Sequence, residues 1–108
     1  MNANVKAVAD TLDALRAKLI ATPRSAEGFG EMRSLYLELT DALITAGEKA
    51  DAELALEIEK AAKSVAEEWA SNKAKFDPWL NILKPIVGTV GAFLGTAGLG
   101  NPLLLLLP

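Results

Sequence analysis

Residues 85–108, PIVGTVGAFLGTAGLGNPLLLLLP, decide how the rest of this chain must be read. The stretch carries no charged side chain, whereas 24 of the 25 Asp, Glu, Lys and Arg residues lie at or before Asp77, and the remaining one is Lys84. An apolar run of this length has to be covered by lipid, by another protein or by copies of itself. The chain therefore divides by composition into a charged amphipathic region, 1–76, and an apolar tail, 77–108, expected to be buried in a membrane or an assembly.

Within the tail, Asp77-Pro78 and Lys84-Pro85 each read as a helix start, with proline at the first helical position. Gly88, Gly91, Ala92 and Gly95 cluster on one side of the segment after Pro85, and Gly91 to Gly95 forms a GxxxG that lets helix backbones approach closely. Trp79 and Lys84 flank the run as membrane-interface residues do, the indole at headgroup depth and the ammonium in water. A helix from Pro85 to Leu99 extends only about 22 Å, short of the roughly 30 Å hydrocarbon core. Gly100-Asn101-Pro102 opposes its continuation, so the tail needs company: an oligomer, a re-entrant insertion, or neighbouring chains.

Upstream, Val5, Val8, Leu12, Leu15 and Leu19 are spaced 3, 4, 3, 4, the seam of an amphipathic helix or a two-heptad coiled coil, with Asn2 or Asn4 as its cap. The segment from Ala21 to Glu31 contains Pro23, Gly28 and Gly30 and predicts a turn, the following helix starting between Pro23 and Glu31. Beyond it, Met32, Leu43, Leu54, Val65 and Phe76 recur every eleven residues, a period that keeps one face on a nearly straight helix. One helix from Glu31 to Phe76 would be a rod of about 69 Å. A break at Gly47 would give a helical hairpin instead. The unbroken phase favours the continuous or gently bent form, with the eleven-residue row holding a stalk together. The fold class is all-α: long amphipathic helices, as helical hairpin or coiled-coil stalk, followed by an apolar Gly-rich helical tail.

The net charge of −3 and pI near 4.9 argue against general nucleic-acid binding, because bases are interleaved with acids. With no cysteine and no histidine, disulfides, thiolate chemistry and imidazole metal sites are excluded. The carboxylates of Glu53, Glu57 and Glu68 lack a Glu-x-x-His pattern, so no metal or other cofactor is expected, and no phosphate loop or nucleophile elbow marks a catalytic residue.

These features predict a non-enzymatic helical homo-oligomer whose C-terminal segment inserts into a membrane and forms or lines a passage. Its lysines before the tail would keep the N-terminal region on the cytoplasmic or interior side. The alternative is a structural subunit of a large assembly, such as a virion, phage tail or appendage, with the tail buried against other chains. The expected partners are further copies of the chain, with lipid or partner protein on residues 77–108.

Overall fold

In the computed structural model, which describes residues 3–46 and 49–108, the chain is helical almost throughout. Its elements are α1 (Ala3–Ala21), α2 (Phe29–Ala46), α3 (Asp51–Trp69), a 3-10 segment (Ala70–Trp79), α4 (Leu80–Thr96) and a C-terminal 3-10 turn (Pro102–Leu106). The α1 seam is buried as its spacing requires: Val5, Val8, Leu12, Leu15 and Leu19 all face inward. Asn4 lies inside α1, and Asn2 is outside the described residues.

Between α1 and α2, Gly28 has φ +80°, and a Cβ there would sit on the Lys75 carbonyl oxygen and the Trp79 indole. Only glycine fits that approach. α2 opens at Phe29, within the range expected for its start, directly after the turn that ends on Gly28.

The continuous rod is not formed. α2 ends at Ala46 and α3 begins at Asp51, and α3 packs back along α2. Gly47 itself lies outside the described residues. The eleven-residue phase survives because both helices turn the same row towards one core: Met32, Leu54, Val65 and Phe76 are buried and Leu43 packs against them. Periodicity reports which side is buried; it is blind to a reversal that leaves the inward side inward.

The second boundary also differs. α3 stops at Trp69, and a 3-10 segment with a kink at Asn72 leads to α4, which begins at Leu80 and not at Pro78. Pro85 does not start a further helix; it lies inside α4. The hydrogen bond it cannot make would have gone to the Asn81 carbonyl, and Asn81 and Pro85 are both exposed, so water substitutes at that turn.

The apolar tail folds onto its own chain. Leu83, Ile86, Val87, Val90, Phe93 and Leu94 of α4 are buried, largely against α1, and Leu103 and Leu106 are buried with the last turn packed on α3. Each such side chain contributes about 1.5–3 kcal/mol by leaving water. Thr11 and Thr89 share a hydroxyl hydrogen bond of 3.2 Å across the α1/α4 seam. α4 ends in a Schellman motif: Gly98 has φ +73°, its N–H donates to the Gly95 carbonyl, and the Leu99 N–H donates to the Leu94 carbonyl. Asn101 then ties the return. Its Nδ2 donates to the Val87 carbonyl at 2.9 Å, and its Oδ1 accepts from the Leu103 N–H.

Residues from both sides of the compositional boundary thus belong to one hydrophobic cluster. Its closure is quantitative. A folded 11.4 kDa monomer is expected to expose about 5,800 Å² and a 108-residue domain to have a radius of gyration of about 13 Å; the observed values are 5873 Å² and 13.0 Å. The chain covers most of its own apolar surface.

Candidate interaction surfaces

Trp79 is a junction within the fold. It is 2% exposed, donates its indole N–H to the Glu27 carbonyl at 2.7 Å, and meets the edge of Phe29 with ring centroids 6.4 Å apart. The Lys18 ammonium lies 4.8 Å above the ring, a cation–π contact. The residue therefore joins α1, the turn before α2 and the start of α4. Lys84 is exposed on the first turn of α4.

The four small residues of α4 part company. Gly91 is used inside the chain: a Cβ there would lie 2.9 Å from Asn101 Nδ2. Gly88, Ala92 and Gly95 face outward, and a Cβ built on either of those glycines meets nothing within 4 Å. Pro85, Thr96 and Ala97 of the same charge-free segment are exposed as well, and the C-terminal turn, packed on α3, leaves Leu104 and Leu105 exposed by 59% and 58%. The ammonium of Lys73 lies 3.4 Å from the Leu107 carbonyl, at the end of the C-terminal turn.

A second surface lies along the α1/α2 seam, where α1 packs less extensively than it does on α4. Two clefts open there and share Tyr36 as a wall. One, of about 520 Å³, runs between Val5, Ala9 and Leu12 of α1 and Leu43 and Ile44 of α2, with Asp13, Lys49 and Asp51 at its edge. The other, of about 320 Å³, lies between Leu19 and Ile20 of α1 and Phe29 and Leu37 of α2, with Arg16, Arg24 and Arg33 around it. Three large apolar side chains stand on the ridge: Ile20 is 70% exposed, Leu37 45% and Ile44 75%. Sequence reasoning passed over them. Their signal was visible, since Leu37 and Ile44 are seven apart on a single stripe of α2 that is out of phase with the buried row.

At the α2/α3 seam, burial, reinforced by the charge of Glu68 and partly offset by a hydrogen bond from Ser64, raises the Glu38 carboxyl above its ordinary range. Glu38 Oε2 is buried there without a partner, as is Thr40 Oγ1 beside the first α1/α2 cleft. Among the described residues no three carboxylates converge as a metal site would require, and no helix is long and apolar enough to cross a membrane. No family model matches the chain, and no curated protein or solved structure matches it either.

Proposed function

We propose that this protein is a non-enzymatic helical module that rests on a bilayer surface through its charge-free C-terminal face. The observation that carries the reading is the charge-free run from Pro85 to Pro108, which leaves Leu104, Leu105 and the small residues Gly88, Ala92 and Gly95 exposed, with Lys84 at its start and the Lys73 ammonium at the Leu107 carbonyl. Apolar side chains at acyl depth with lysines at headgroup depth are how interfacial elements bind anionic lipid. Two exposed leucines and two lysines give modest affinity, each lysine supplying about 1 kcal/mol near an anionic surface. Attachment of this kind is peripheral and reversible. It asks no crossing of α4, whose apolar side already packs on α1.

A second reading is supported by the outward Gly88, Ala92 and Gly95, which would admit the backbone of another protein chain at close range in a larger assembly.

Flotation with vesicles of phosphatidylcholine and phosphatidylserine separates the two. The full chain is expected to float, and Leu104→Glu with Leu105→Glu to remain at the bottom of the gradient while keeping its helical circular dichroism. Failure of the unaltered chain to float sinks the bilayer reading. A truncation at Asp77 is unsuitable, because it removes α4 from the core.

A further inference from the structure

The α1/α2 face carries exposed apolar side chains, open clefts and an uneven distribution of charge, and together these specify an occupant. The two helices run antiparallel along the seam: the amino-terminal half of α1 shares a cleft with the end of α2, and the end of α1 shares the other with the start of α2. Around the second cleft stand Arg16, Arg24 and Arg33, and among the described residues none of these guanidinium groups has a carboxylate partner. At the edge of the first stand Asp13 and Asp51, with Lys49 between helices α2 and α3. Tyr36 lies on the dividing line.

With three arginines about one cleft, two acids and one lysine about the other, and exposed apolar side chains along the ridge, the surface is complementary to itself after a half-turn. We infer that two copies of this chain pair across the α1/α2 face about a two-fold axis passing near Tyr36. In that arrangement the contact is isologous, each surface patch meeting its own counterpart. The arginines of one copy oppose Asp13 and Asp51 of the other, twice. Ile20 of one copy approaches Ile44 of its partner, and the two Leu37 side chains meet close to the axis. A small ligand filling one cleft would cover Ile44 or Ile20 and leave the other in water, whereas a second copy covers both at once.

This inference stands independently of the bilayer reading, since it uses none of the C-terminal face.

The test exploits the symmetry. Sedimentation equilibrium of the full chain, from micromolar to submillimolar concentration, should show a monomer–dimer equilibrium. One variant carries Arg16→Glu and Arg33→Glu, a second carries Asp13→Lys and Asp51→Lys; every altered residue is exposed, so both should keep their helical spectra. Each variant alone should weaken dimerisation by roughly tenfold or more, since like charges then face one another. Mixed in equal amounts they should pair again, because the reversed residues of each variant then face opposite charges on the other. A chain that stays monomeric throughout overturns the inference. So does a dimer indifferent to both variants, a mixture that fails to pair, or a dimer lost instead with Leu104→Glu and Leu105→Glu.

Discussion

α1 has two neighbours, and the contrast between its two seams explains much of the molecule. Towards α4, whose Leu83, Ile86, Val90 and Phe93 are buried, the hydroxyls of Thr11 and Thr89 lie 3.2 Å apart, each also within reach of a carbonyl a turn behind it, Val8 and Ile86. That seam closes. Towards α2 it presents Asp13, Arg16 and Ile20 against Arg33, Leu37 and Ile44, and the ionised groups keep their water, so the helices part above the core and leave two clefts. The same helix is sealed on one side by uniformity and left open on the other by mixture. The sealed seam supplies stability, and the open one is where a second surface can fit.

The largest effect should come from the junction that organises the sealed side. Trp79→Ala removes a buried ring, its hydrogen bond to Glu27 and the contact with Lys18, and is expected to cost about 3–5 kcal/mol, measured by urea denaturation. That is a large share of the roughly 5–15 kcal/mol typical of a domain. If the loss is below about 1 kcal/mol, the ring is not the keystone assigned to it.

A smaller loss is expected from Gly91→Ala. The new Cβ would press on Asn101 Nδ2, and the side chain must yield its bond to the Val87 carbonyl, at a cost of about 1 kcal/mol. Hydrogen exchange should show the loss concentrated in residues 99–107. Gly95→Ala, on the outer side of the same helix, should instead be neutral or stabilising by up to about 1 kcal/mol, since nothing opposes a methyl group there and alanine is the better helix former. Equal effects at the two glycines would dissolve the distinction between inner and outer faces.

On the open side, Ile20→Ser and Ile44→Ser should change stability by no more than about 0.5 kcal/mol, because both side chains stand in water in the monomer. Unfolding monitored at low concentration provides the measurement.

The subtlest expectation concerns pH. The folded chain holds the Glu38 carboxyl above its unfolded value, chiefly through burial and then through Glu68. For an acid shifted upward, the protonated form is favoured by folding. Stability from this group is therefore fully present below the unfolded value and is lost as pH rises through the folded one. Glu38→Gln should melt at a higher temperature than the parent at neutral pH, and the difference should vanish at pH values below the ordinary carboxylate range. A constant difference across pH would mean that titration is not its source.

The pattern of apolar residues was legible at the level of helix faces. The α1 seam, the buried row from Met32 to Phe76 and the end of the tail helix near Gly98 all follow from spacing and glycine placement. What spacing could not reveal was the reversal between Ala46 and Asp51, since antiparallel helices that share a core preserve the phase of a single rod. It also misplaced Pro85, because a proline is tolerated inside a helix where the carbonyl it abandons reaches water. The small residues of α4 read as one group, yet a single contact with Asn101 sends Gly91 to the interior business of the fold and leaves Gly88 and Gly95 outside. Of the open seam, only the out-of-phase Leu37 and Ile44 were visible. The arginines and acids that polarise it come from separate helices and turns, and no local pattern joins them.

By itself the sequence determined that the chain is helical, which side of each helix leaves water, and that the charges stop before the last quarter. Only the tertiary structure decided what covers that last quarter. Burial is a demand written in composition, but the surface that meets it is chosen by how the helices reverse and pack. Here α1 and α3 of the same chain supply it first, leaving a thin uncharged outer face for whatever lies beyond.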